Sequence, residues 1–161
     1  MVDLKEFEQK AADLRVLGMK ISIGQDTVYE KYWDEDCRRN IYSASKSFTS
    51  CAVGFAVQEG LIDLDERLMD AFKEDIPNNP DENLKKATVK DLLTMTLGQE
   101  KGFLMGKQRP RMEEQNWVKA SLAIPFVYEP GTHFVYNNVG PYLAGILVQR
   151  RAGCDLLSYL T

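Results

Sequence analysis

Histidine is nearly missing from this sequence: His133 is the only one in 161 residues. The three cysteines, Cys37, Cys51 and Cys154, include no pair at ligand spacing. The usual donors of a zinc centre are therefore lacking, and no metal site is expected. Cysteines odd in number and widely scattered also make no disulfide framework, and reduced thiols are the simpler reading. No apolar run approaches the length of a membrane span, so no membrane partner is expected. The first residues, MVDLKEFEQKAADLRVLG, are charged and periodic where a secretory signal would be apolar, which points to a cytoplasmic protein. Excess positive charge is missing too. A formal net charge of −4 argues against a nucleic-acid partner, which needs a basic face.

What is present reads as one ordinary globular domain, with 44% hydrophobic and 27% charged residues and no internal repeat. Leu4, Phe7, Ala11 and Leu14 recur at helical spacing over residues 3–16, with Gly18 as a stop. MKISIGQDTVYEKYW reads as a β-hairpin about Gly24-Gln25-Asp26. A helix follows from Ser43 to Glu59, ended by Gly60. A short helix is expected within residues 61–72, and a polar loop over 73–87. Thr88 and Asp91 fit a capping box for a helix through Met95. Residues 99–112 read as a mobile loop, residues 113–123 as a helix, and a last helix opens at Pro141 and runs to Arg151.

The helix from Ser43 to Glu59 raises a specific question. From Ser47 to Gln58 it has no charged residue. Ala44, Phe48, Cys51, Ala52, Phe55 and Ala56 form one broad apolar face, and Val53 and Val57 lie opposite. Such a helix belongs inside a domain. Ser43, Lys46, Ser47 and Ser50 nevertheless make a polar patch toward its N-terminal end. Ser43 and Lys46, three apart, stack on one side. A serine hydroxyl becomes a nucleophile when a neighbour takes its proton, and a desolvated lysine is such a neighbour. The free N–H groups of a helix N-terminus suit a developing oxyanion. A plainer role fits the same residues: Ser43 as an N-cap and Lys46 reaching from the first turn into solvent.

A second motif, Tyr136-x-Asn138, precedes the last helix. A tyrosine beside the serine–lysine pair shuttles protons, and an asparagine amide both donates to a carbonyl and accepts from an amide. Asparagine pairs also favour turns, and Tyr136 also suits an aromatic packing role. GFLMGKQ, residues 102–108, falls short of a phosphate loop in glycine spacing and in its last residue, and reads instead as a flexible substrate-side loop.

In order and context, these motifs resemble the serine β-lactamase-related hydrolases of the class C type, which include D-alanyl-D-alanine carboxypeptidases and esterases. Ser-x-x-Lys at the start of a buried helix is a motif of penicillin-recognising enzymes. AVQEGLIDLDERL is similar to the family's stretch after the serine helix. KDLLTMTLG resembles its Leu-Leu-x-His-x-Ser-Gly stretch, with Met95 and Leu97 in place of His and Ser. YEPGTHFVYNN resembles its Pro-Gly approach to Tyr-x-Asn.

The resemblance implies an α+β fold, a mostly helical part of the β-lactamase/penicillin-binding fold with a short N-terminal hairpin and without the C-terminal strands. Residues 1–161 would be the N-terminal portion of one such domain, since family members run to roughly twice this length or more. It implies acyl transfer on a small-molecule ester, amide or β-lactam, with no cofactor. Ser43 would be the nucleophile, Lys46 its proton partner, Tyr136 the general acid/base, and Asn138 the residue that orients the substrate amide. The family's third motif, Lys-Thr-Gly or His-x-Gly, has no match. Arg151-Ala152-Gly153 lacks the hydroxyl and ends a helix. That gap leaves a competing reading, a non-catalytic module of the same fold that binds a ligand or protein partner. It also implies slow turnover, because losing one oxyanion donor costs about a hundred- to a thousand-fold. With one hairpin and an all-round apolar helix, apolar surface and a sheet edge should stand exposed and favour self-association or a complementary C-terminal segment.

Overall fold

The computed structural model describes residues 3–35 and 37–161. The chain divides into two compact units, residues 1–41 and 42–161. The architecture is the expected α+β one, mostly helical, with a single two-stranded antiparallel sheet among the described residues.

The first unit holds helix α1 (Lys5–Ala11) and strands β1 (Gly18–Ile23) and β2 (Asp26–Tyr32). The hairpin turns where the sequence places it, with Gly24 at φ +62°. Its register runs from Gly18 opposite Tyr32 to Ile23 opposite Asp26. Helix α1 stops well short of residue 16, and Arg15 beyond it adopts a left-handed φ of +54°. Gly18 does not stop a helix but opens β1. A Cβ there would lie 2.6 Å from the Tyr32 ring, so glycine leaves the space that ring fills. Glu8 on α1 is tied to β2, accepting from Tyr29 Oη at 2.8 Å and Lys31 Nζ at 2.7 Å.

The second unit contains α2 (Ser45–Gln58), α3 (Leu68–Ala71), α4 (Glu82–Lys86), α5 (Val89–Thr94), α6 (Trp117–Leu122), α7 (Val139–Ala152) and α8 (Leu156–Leu160). Helix α7 is its hub and packs against α2, α5 and α8. Val139, Leu143, Ala144, Leu147 and Val148 of α7 join Leu68, Leu84, Leu92, Leu122 and Phe126 in one core. Gly140 permits the crossing of α7 over α5. A Cβ at that position would come within 2.2 Å of the Leu92 carbonyl oxygen.

Local chemistry explains the helix ends. The capping box on α5 is formed, with Thr88 N donating to Asp91 Oδ2 at 2.9 Å. Asn116 caps α6 by accepting from Val118 N and Lys119 N, so this helix starts later than residue 113. Helix α7 begins at Val139, which puts Pro141 inside its first turn, and Gly153 at φ +74° ends it.

Three further features differ from the sequence expectation. The polar stretch 73–87 contains α4, anchored by the buried Leu84. Helix α8 follows Gly153, with the Asp155 side chain accepting from Ser158 N at its start. Helix α2 is only partly interior. Ala52, Val53 and Ala56 are buried, whereas Phe48 and Phe55 are 57% and 50% exposed and Cys51 is exposed as well. The apolar pattern of α2 correctly marks a helix made for cover, and the described residues cover one side of it.

Candidate active site

Ser43 lies in a single 3-10 turn, Tyr42–Ala44, that leads directly into α2. It is not the N-cap. That position belongs to Ala44, which has helical dihedrals and makes no side-chain cap. The capping role is therefore excluded for Ser43, and its hydroxyl is available to other groups. The residue before it, Tyr42, has φ +46°, a left-handed conformation unusual for a tyrosine. Strained backbone of this kind persists where the surrounding structure enforces it, commonly at functional sites.

From the first turn of α2, Lys46 reaches back. Its Nζ donates to Ser43 Oγ at 2.9 Å and to Asn138 Oδ1 at 2.8 Å. The ammonium also lies 5.1 Å from the centre of the Tyr136 ring. Hydrogen bonding from Ser43, and then from Lys46, holds the Tyr136 phenol below the ordinary tyrosine range. Ser43, Lys46, Tyr136 and Asn138 thus form one cluster, although up to 95 positions separate them in sequence. Lys46 does not snorkel into free solvent.

The cluster joins the N-terminal ends of two helices. Ser43 and Lys46 stand at the start of α2, and Asn138 is the N-cap residue of α7. The two adjacent asparagines divide the work. Asn137 is buried, and its side chain accepts from Gly140 N at 3.0 Å and donates to the Val135 carbonyl at 2.8 Å, fixing the first turn of α7. Asn138 is left to face the cluster. Its Oδ1 accepts from Lys46 and its Nδ2 donates to the Leu104 carbonyl at 2.9 Å.

Leu104 is the participant that the sequence did not mark. A backbone carbonyl contributes here, and no side-chain pattern encodes it. The loop expected to be mobile over 99–112 is pinned at several points. Gln99 and Leu104 are buried, Gln99 Nε2 donates to the Ser121 carbonyl, and the Phe103 carbonyl accepts from Asn138 N. Of Met95 and Leu97, which stand in place of a histidine and a serine, only Leu97 belongs to the core. Met95 ends α5 in a left-handed conformation and its carbonyl accepts from Val135 N, while Leu97 is buried.

Among the described residues no group of three or more His, Cys, Asp or Glu is arranged to hold a metal ion. No helix of those residues is long and apolar enough to cross a membrane.

A monacolin J acid methylbutanoyltransferase of Aspergillus terreus is 31% identical over 79% of the chain, and the acyltransferase mokF of Monascus pilosus is 30% identical over the same share. The chain spans 35% of the length of each of these relatives. Among solved structures, the octameric penicillin-binding protein homologue of Pyrococcus abyssi superposes with a TM-score of 0.73 at 23% identity, over 99% of this chain and 41% of that one. A β-lactamase/D-alanine carboxypeptidase of Pseudomonas syringae gives 0.72 at 19% identity, over 94% and 44%. At such identities the structural likeness establishes the fold alone. The family model described as Beta-lactamase matches residues 5–161, nearly the whole sequence, and the chain belongs to that family.

Proposed function

We propose that this chain carries the nucleophilic half of an acyl-transfer site, in which Ser43 takes an acyl group from a small-molecule ester, amide or β-lactam. The observation that carries the reading is Lys46, which bonds Ser43 and Asn138 at once beside a Tyr136 phenol of lowered pKa. An ammonium that donates to Ser43 Oγ leaves the hydroxyl proton free to point elsewhere. The lowered phenol of Tyr136, which Ser43 and Lys46 both favour in its deprotonated form, is the neighbouring group suited to take that proton. Tyr136 then acts as the base and Lys46 as the cation that favours its phenolate.

In the forward step, Ser43 Oγ bonds to the acyl carbon and its proton passes to Tyr136 Oη. The bond to the leaving group breaks, and that group departs with the proton from Tyr136. An acceptor then attacks the acyl-serine and gives its proton to Tyr136; the bond between Ser43 Oγ and the acyl carbon breaks, Oγ takes that proton back from Tyr136, and the acylated product leaves. Because both amide groups of Asn138 are engaged within the protein, Asn138 orients Lys46 in this state. Nδ2 carries a second N–H, which suits contact with a substrate carbonyl while both bonds persist.

Two acceptors fit this chemistry. Water gives a hydrolase. An alcohol gives a transferase, and the relatives named as a methylbutanoyltransferase and an acyltransferase favour it. The test is a partition experiment. The protein is incubated with an uncharged activated ester, with and without an added alcohol, and intact mass is followed. A transient mass gain of one acyl group, released as acid or as new ester, is expected. Absence of any acylated species with intact folding would favour the non-catalytic binding module.

A further inference from the structure

We propose that the segment Gly102–Leu104 is a clamp that positions Lys46 through Asn138, with Leu104 as the positioning residue. This rests on the reading of Ser43, Lys46 and Tyr136 as an acyl-transfer site. Two successive carbonyls of the segment hold Asn138. Phe103 O accepts from its backbone N at 3.2 Å, and Leu104 O accepts from its Nδ2 at 2.9 Å. The second bond fixes the amide so that Oδ1 faces Lys46, which it meets at 2.8 Å. An amide free to turn over would present N–H groups to an ammonium, and that contact is repulsive. The Leu104 carbonyl therefore decides which end of Asn138 the lysine sees.

The backbone departs from ordinary conformation to make this possible. The dihedrals of Leu104 set the relative direction of the Phe103 and Leu104 carbonyls, and its φ is +56°. Leucine seldom adopts that region. Burial of its side chain, 2% exposed within the core, is what keeps it there. The approach also needs a glycine at the start of the segment. A Cβ on Gly102 would fall 2.7 Å from the Tyr136 carbonyl oxygen. Gly106 in the same loop has no such constraint, since its nearest neighbour would be a side-chain atom of Arg109 at 3.8 Å.

Two matched pairs of variants test the clamp. Leu104→Ile and Leu104→Met preserve volume, but only the β-branched residue resists a left-handed backbone. Gly102→Ala and Gly106→Ala add the same methyl group at a crowded and an open position. Each variant is read by its rate of Ser43 acylation with an uncharged activated ester, and by the ionisation midpoint of Tyr136. The midpoint comes from ultraviolet difference titration against a Tyr136→Phe reference.

We expect Leu104→Ile and Gly102→Ala to slow acylation by about tenfold or more, the cost of misplacing a catalytic group. Both should move the Tyr136 midpoint upward, toward ordinary tyrosine, as Lys46 loses its fixed place. Gly106→Ala should stay within about twofold of the parent with the midpoint unmoved, and Leu104→Met should fall between it and Leu104→Ile on both readouts. An unmoved midpoint in Leu104→Ile overturns the clamp, as does an equal loss in all four variants that tracks their melting temperatures. If the parent protein is never acylated, the acyl-transfer reading fails, and the Tyr136 titration still decides whether Leu104 positions the lysine.

Discussion

Helices α2 and α7 have equal length, 14 residues, and both bring site residues to their N-terminal ends. Their surroundings differ. Helix α7 buries seven residues and has neighbours in α2, α5 and α8, whereas α2 buries only Ala52, Val53 and Ala56. Phe48 and Phe55, one apolar stripe of α2, stand half exposed. The comparison teaches that an apolar helix sequence specifies how much cover a helix can use, not how much it has. It also assigns the two sides of the site different sources of rigidity. Asn138 is held by the core through α7, and Ser43 is held by its hydrogen bond to Lys46 and the constrained turn at Tyr42.

Removing the cation that links the two helices should have the largest effect. Lys46→Met should slow acylation of Ser43 by about a hundred- to ten-thousand-fold, measured as the rate of acyl mass gain. The pH dependence follows from the lowered phenol of Tyr136, which favours its deprotonated form. In the parent, acylation should rise with pH through a midpoint below the ordinary tyrosine value of about 10 and level off above it. In Lys46→Met that midpoint should move up, because one of the two groups that lower it is gone.

Within α7, changes act on the fold. Leu143→Ala should cost about 2–5 kcal/mol, since a fully buried leucine leaves a cavity. Gly140→Ala should cost about 1–3 kcal/mol by forcing α7 away from the Leu92 carbonyl. Denaturant unfolding checks both. On the half-exposed stripe of α2, Phe55→Ser should cost only about 1 kcal/mol, since half of the ring is already in solvent. A loss there as large as that of Leu143→Ala would show that α2 is covered as α7 is, and would erase the contrast.

Much of this arrangement is legible in the sequence because its signals are local. The hairpin follows from β-branched and aromatic runs around Gly24, and α5 from the Thr88–Asp91 box. Ser43 and Lys46 meet because three residues make nearly one helical turn. Helices α4 and α8 are less legible, being five residues each and stabilised by distant partners. Leu84 inserts into the core, and Tyr159 Oη donates to Glu59 Oε2 at 2.7 Å. Asn137 and Asn138 look alike in sequence. Which side chain fixes the first turn of α7 and which one meets Lys46 depends on the backbone path from Val135 to Gly140. Leu104 is the least legible, because it acts through a carbonyl and a dihedral angle.

The central claim is that Ser43 is the residue that becomes acylated. Peptide mapping by mass spectrometry, after brief reaction of the protein with an activated ester or a fluorophosphonate, tests it most directly. The adduct should sit on Ser43 and be missing from Ser45, Ser47 and Ser50, which share the same turn and helix without a lysine three residues ahead. Ser43→Ala should remove it. An adduct on another serine, or one that persists in Ser43→Ala, contradicts the account.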